Sequence, residues 1–251
     1  MIPVSVSMLP MLFDPLSLRG RSAVVIDVLR ASTTITHALA HGASAVIPTE
    51  QVEQAWEVAK ELPVEDRLLG GERESVTIEG FDLDNSPFSY TPERVTGKTV
   101  IFTTTNGTFA LQKCSQAERI LIGSFTNLSA IVESLISFQL PVHLVCAGTN
   151  RQLTAEDILF AGAVADRLLT ESEGQFELSS VESQMAVDFY RSHRIGTDAF
   201  HSAMFGSLGG TNLRKLGLDE DIKRAMDVDR FSIVPEWNPA LNRITVSQDE
   251  R

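Results

Sequence analysis

Three short runs constrain this chain more than any other feature: SAVVIDV at residues 22–28, TVIFTT at 99–104 and VHLVC at 142–146. Each is almost continuous in β-branched and large apolar side chains. A strand with one wet face would alternate polar and apolar residues, so these runs predict strands buried on both faces. The spacing predicts further strands at 43–48, 67–69 and 119–122, and helices at 33–41, 50–61, 108–113, 128–138 and 155–169. Strand and helix in alternation define an α/β fold, with a largely parallel or mixed sheet covered on both faces. The C-terminal third is mostly helical over 181–226, and 231–234 and 243–246 read as final strands. Residues 171–180 are polar and read as a surface loop. No shift in composition marks a boundary, so residues 1–251 read as a single domain.

Composition excludes several classes of function. Asp and Glu total 33 against 21 Lys and Arg, a formal net charge of −12, which argues against a nucleic-acid partner. It also means that any anionic ligand needs a locally positive site. Hydrophobic residues make up 43 %, too many for a disordered chain. Cys114 and Cys146 suffice for neither a disulfide framework nor a four-cysteine zinc site, and are expected to be buried thiols. The N-terminus has no basic segment and is interrupted by Pro3 and Pro10, unlike a secretory signal. No apolar run reaches the roughly 18 residues that a membrane helix needs. A cytoplasmic location and, on general frequency, a homo-oligomer are expected.

Five segments carry the chemistry. In the first, Asp27 ends a buried strand, and Arg30, Ser32, Thr33 and Thr34 open the next helix. Ligands of open α/β sheets bind beyond the strand carboxyl ends, where helix N-termini offer free N–H groups to anions. Asp27 could hold a metal ion or attack phosphorus. Equally, Ser32 or Thr33 could be a plain helix cap, with Arg30 neutralising Asp27. The second segment, Gly70-Gly71-Glu72-Arg73, pairs an acid and a base behind two glycines that permit close backbone approach. The third, residues 80–87 (GFDLDNSP), is a long loop rich in turn formers. The fourth, residues 103–108 (TTTNGT), sets four threonines and an Asn-Gly turn where a strand meets a helix. The fifth runs from Cys146 to Asp157, with a capping-box pattern at Thr154–Asp157.

Spacing removes several rivals. Cys146 and Arg151 have four residues between them instead of the five of thiolate phosphatases. Position 29 is Leu, so the Asp-x-Asp of haloacid-dehalogenase phosphatases is absent. There is no P-loop, no dinucleotide fingerprint and no nucleophile elbow. His37 and His41 lie four apart on one helix and could share a metal, but read as an ordinary helix face.

Taken together the segments resemble the 2-phosphosulfolactate phosphatase (ComB-like) family, from about Val24 to Pro235. The matching stretches are DVLRASTT, GGER, GFDLDNSP, TTTNGT, CAG with its downstream Glu-Asp, and LRKLGLDEDIKRAMDVDRFSIVP. The resemblance implies a three-layer α/β/α fold and a Mg²⁺-dependent phosphatase. Its reaction converts 2-phospho-3-sulfolactate to 3-sulfolactate and phosphate, a coenzyme M biosynthesis step. On that basis Asp27, Arg30, Glu72 and Arg73 are the expected catalytic group. Asp27, Glu72 and Asp157 are the expected source of metal ligands. Thr33, Asn85, Ser86, Thr105, Asn106, Gly107 and Thr108 are expected to line the site of a small anionic phosphorylated substrate. Alternatives are a phosphatase of another small phosphorylated acid, or a non-catalytic binder of an anionic metabolite.

Overall fold

The structure, a computed structural model, describes residues 1–73 and 76–246. Its strands are β1 (Ile2–Ser7), β2 (Ser22–Ile26), β3 (Ala45–Thr49), β4 (Arg67–Arg73), β5 (Val76–Thr77), β6 (Thr99–Thr103), β7 (Arg119–Gly123), β8 (Val142–Cys146), β9 (Phe176–Leu178), β10 (Pro235–Asn238) and β11 (Arg243–Val246). The helices are α1 (Ala31–Ala40), α2 (Val52–Lys60), α3 (Pro92–Val95), α4 (Gly107–Lys113), α5 (Leu128–Phe138), α6 (Ala155–Glu171), α7 (Val181–Ser192), α8 (Asp198–Gly206), α9 (Leu208–Lys215) and α10 (Asp219–Ala225). The architecture is three-layer α/β/α, with one mixed sheet in the order β5-β4-β6-β3-β11-β10-β7-β2-β8-β1-β9.

That order hides two parallel blocks. One is β9-β1-β8-β2-β7 and the other β3-β6-β4. The antiparallel hairpin β10–β11 joins them, with Glu236 opposite Leu121 at one seam and Ile244 opposite Val46 at the other. In the first block Ile26 is level with Gly123 and Cys146. In the second, Thr49 and Gly71 are both level with Thr103. The carboxyl ends of each block therefore finish in line.

The buried runs behave as their composition requires. On β2, Val24 and Ile26 enter one core with Leu144, Phe160 and Val164, while Ala23 and Val25 enter the other with Ile35, Leu111 and Trp237. On β6, Val100 and Phe102 face that second core, and Ile101 packs under α2 beside Ala55 and Ala59. A period of two with both faces apolar is a covered parallel strand. Leaving β6 in the second block, α4 packs against β2 of the first. The seam is thereby folded over at the carboxyl ends.

Three local readings are corrected. Residues 231–234 are not a strand: Phe231 N–H donates to Thr126 O, and the Asn127 amide donates to Ile233 O, holding this stretch on the loop before α5. The strand begins at Pro235, a position that proline's missing N–H tolerates. Residues 171–180 are not all loop, because Phe176–Leu178 pairs with β1 as an edge strand. The N-terminal strand β1 escaped the sequence reading, although IPVSVS alternates. Val4 and Val6 enter the core, and the Ser5 and Ser7 hydroxyls flank the two His143 ring nitrogens at 2.7 and 2.9 Å. Both cysteines are free and buried. Among the described residues no helix is long and apolar enough to cross a membrane.

Helices α6 and α7 cross at Gly162, where an added Cβ would collide with the Ala186 carbonyl oxygen. Gly162→Ala should therefore destabilise the protein by about 2 kcal/mol, despite alanine's higher helix propensity. Chemical denaturation of the two proteins measures this, and equal midpoints would contradict the close crossing.

Candidate active site

Asp27 is the first residue beyond β2. Its Oδ1 accepts from Ala31 N–H at 3.3 Å, and its own N–H donates to Ser32 Oγ at 2.9 Å. Ser32 and Thr33 therefore do not cap α1 with their side chains. Thr33 Oγ1 donates to Val28 O at 2.8 Å and is buried, so it is spent on the protein and not offered to an anion. Burial, then the charges of Glu72 and Glu156, push the Asp27 carboxyl up to about 7, against the opposing pull of Ala31 N–H and Arg30.

The second block brings Glu72 to the same place. The glycines before it serve the protein's own packing rather than a ligand. A Cβ on Gly70 would strike the Tyr90 hydroxyl, and one on Gly71 the Thr103 carbonyl oxygen. Gly71 also has φ +135°, which a side chain disfavours. Glu72 Oε1 accepts from Thr105 N–H at 3.0 Å. From the same block, Gly107 begins α4 directly against Asp27, since a Cβ there would lie 2.8 Å from Asp27 Oδ2.

Asp27, Arg30, Glu72, Asn85, Asn106 and Asn212 line one cavity of about 40 Å³. Arg30 forms a buried ion pair with Asp221 at 2.7 Å, the two side chains being only 4 % and 3 % exposed. Removing one partner of such a pair leaves a buried charge and costs about 3–5 kcal/mol. Ser86 Oγ donates to the other Asp221 oxygen at 2.7 Å, so Ser86 supports Arg30 and is turned from the cavity. Asn85 is buried, its backbone oxygen accepts from Thr34 Oγ1, and its side-chain Oδ1 has no protein partner. A buried amide left unpaired is costly unless something else completes it.

Other expected residues are placed differently. Arg73 donates to Glu72 O, Glu50 O and Thr103 Oγ1, so its guanidinium braces strand ends and does not reach the cavity. Asp157 does not close a capping box. Its Oδ1 accepts from Val28 N–H and its Oδ2 from Gly148 N–H, both at 2.9 Å, which ties the ends of β2 and β8 together. Burial, then the charges of Glu156 and Asp27, raise its carboxyl well above the usual range. Thr105 and Thr108 line an adjoining groove, and Asn106 Oδ1 accepts from Asn150 N–H at 3.0 Å. The Cys146 thiol is pushed up by burial and by Asp157 and Glu156, which suits no thiolate mechanism. His37, buried, and His41, partly buried, meet edge-on, and their Nδ1 atoms bond Thr33 O and Tyr90 O, as an ordinary helix face does.

Sequence reasoning missed Glu156, Asp221 and Asn212. Glu156 is buried, bonded by the Thr154 hydroxyl, Ser207 and Gly209 N–H, and raised chiefly by desolvation. Its one signal was the paired Glu156-Asp157 beyond a strand end. Asp221 lay in a charged helix that reads as solvated surface. Among the described residues no three His, Cys, Asp or Glu side chains form a ready-made metal cluster. Asp27 and Glu72 nevertheless give an all-oxygen pair whose mutual repulsion a hard divalent cation would relieve. One or two carboxylates are the usual protein share of a Mg²⁺ site.

Carboxylates, amides and helix starts at the carboxyl ends of parallel strands, one side chain being a carboxyl poised near neutrality, make this a candidate hydrolytic centre for an anionic substrate. Residues 12–239 match the family model of 2-phosphosulpholactate phosphatase. The chain is 40 % identical over 232 residues to the probable 2-phosphosulfolactate phosphatase of Caldanaerobacter subterraneus subsp. tengcongensis, covering 92 % of this chain and 93 % of that protein. It is 39 % identical over 218 residues to the protein so named in Symbiobacterium thermophilum, covering 87 % and 91 %. The corresponding Thermotoga maritima protein is 41 % identical over 215 residues, covering 86 % and 88 %. The chain belongs to the 2-phosphosulfolactate phosphatase family, and is a phosphoric monoester hydrolase.

The raised Asp27 carboxyl makes stability depend on pH. Without a cation it keeps its proton in the folded state up to about pH 7, whereas in the unfolded chain it ionises near 3.8. The folded state holds the extra proton between those values, so this group's contribution falls as pH rises through the window. Asp27→Asn abolishes that loss. In chelator, the variant's Tm should gain on the wild type between about pH 4 and 7 and hold its lead above. A difference independent of pH would exclude Asp27 as the raised group.

Proposed function

We propose that this protein hydrolyses 2-phospho-3-sulfolactate to 3-sulfolactate and phosphate with the help of Mg²⁺, a reaction of the coenzyme M biosynthesis type. The observation that carries the reading is Asp27 facing Glu72 in a cavity also lined by Arg30 and by Asn85, whose buried Oδ1 has no partner. A pure anion binder gains nothing from two carboxylates there. A metal-assisted hydrolase needs them.

Asp27 and Glu72 would hold the cation. When bound, Mg²⁺ supplies charge neutralisation at phosphoryl oxygens and lowers the proton affinity of water. Arg30, fixed by Asp221, faces the same cavity with a positive charge. Thr105 N–H holds Glu72 in register, Asn106 and Asn212 offer amide N–H groups to the phosphoryl oxygens, and the Asn85 Oδ1 is free to accept from water or face the cation. Water attacks phosphorus, the ester bond to the sulfolactate oxygen breaks, and that oxygen leaves with a proton. Phosphoryl transfer asks a protein chiefly for positioning and charge, and this arrangement provides both. The two buried free thiols fit the reducing cytoplasm, where we place the reaction.

Phosphate release from 2-phosphosulfolactate should require Mg²⁺ and stop on chelation. Asp27→Asn and Glu72→Gln should each lower kcat by roughly a thousandfold or more. Arg73→Gln, which touches no part of the cavity, should affect Tm more than kcat. No release from any phosphomonoester with Mg²⁺ present would refute the reading.

A further inference from the structure

The phosphatase reading assigns the phosphoryl group to the inner cavity of about 40 Å³. The sulfolactyl part of the proposed substrate carries two further anions, and assigning partners to them rests on the phosphatase reading. Two open grooves of about 460 and 580 Å³ adjoin the inner cavity, and Asn106 lines all three spaces. Arg151 lines the first groove. Lys215 lines the second, together with Glu72, Thr105, Asn150 and Asn212. Both cations are exposed, and among the described residues neither side chain has a hydrogen-bond or ion-pair partner. By contrast, Arg30 is occupied by Asp221, and Arg73 by Glu50 O and Thr103.

The Arg151 position is built. Thr149 and Gln152 exchange backbone hydrogen bonds of 3.0 Å in both directions, closing a two-residue turn. Asn150 and Arg151 at its tip have φ of +51° and +62°. Such turns favour glycine in the second place, and an arginine there is disfavoured by its own backbone. Asn150 N–H is anchored to Asn106 Oδ1 at 3.0 Å, which locks the turn to the start of α4 beside Asp27. The lock places Arg151 in one groove that shares Asn106 with the inner cavity, while Lys215, at the end of α9, lines the other. Glu50 shares the Arg151 groove, so the positive field there is local rather than a broad basic patch.

We propose that Arg151 and Lys215 are the specificity residues of this site, binding the sulfonate and the carboxylate of the sulfolactyl group while the inner cavity holds its phosphoryl group. A planar guanidinium suits the two-oxygen edge of either anion, and an ammonium acts as a point charge. Because both residues contact parts of the substrate remote from phosphorus, their binding energy is made equally before and during reaction.

Calorimetric titration of the whole protein with 3-sulfolactate, and separately with inorganic phosphate, tests this in the presence of Mg²⁺. Arg151→Gln and Lys215→Gln should each weaken 3-sulfolactate by about tenfold and leave phosphate unchanged. In turnover they should raise KM for 2-phosphosulfolactate by a similar factor with kcat preserved. With 2-phospholactate, which has no sulfonate, one of the two substitutions should lose its effect. Wild-type affinity for 3-sulfolactate in both variants, an equal loss for phosphate, or undiminished effects of both on 2-phospholactate would overturn the proposal. Binding is read without catalysis, so absence of hydrolysis by the wild type would fall on the phosphatase reading alone.

Discussion

Burying the Asp27 carboxyl next to Glu72 and Glu156 is the constraint around which the rest of the centre is arranged. Like charges in a poorly solvated place repel, and the carboxyl is driven up to about 7. The surroundings are built to hold it there all the same. Gly107 lacks the Cβ that would press on Asp27 Oδ2, Ala31 N–H supports Oδ1, and Gly70 and Gly71 let β4 lie close enough to deliver Glu72. Asp157 clamps the ends of β2 and β8 with both oxygens. Under the proposed reading, a cation between Asp27 and Glu72 would relieve that repulsion.

The position of the centre follows from the sheet. Within the sheet its two parallel blocks are joined through the β10–β11 hairpin, and α4 crosses from one block to pack against the other. Asp27 and Arg30 come from the first block; Glu72, Thr105 and Asn106 come from the second. The cavity lies where the blocks close on each other, and Asp221 and Ser86, from still other parts of the chain, fix Arg30 across it.

The global and the local charge now separate. A net charge of −12 is a property of the whole surface and acts on solubility and on polyanionic partners. The cavity has Arg30 within, and the grooves at its mouth have Arg151 and Lys215. A small anion at the mouth therefore meets individual cations that the average charge does not record.

The buried strands, the α/β class, the position of Asp27 beyond β2 and the segments that meet at the site were legible from the sequence, because burial on both faces and strand-to-helix turns leave local patterns. The family was legible from several short motifs in order. Side-chain roles were not. Arg73, Thr33 and Ser86 have the chemistry of anion ligands, but each is taken up by a protein oxygen whose nearness depends on the fold. Asp157 sits where a cap would be, yet its oxygens reach two strands that sequence spacing cannot relate. Glu156, Asp221, Asn212 and Lys215 looked like ordinary polar surface until packing buried or aimed them. The sequence by itself determined the strands buried on both faces and the turns where chemistry could lie. The tertiary structure alone decided which carboxylates share a cavity, because that depends on two blocks of sheet closing at a seam no local periodicity records.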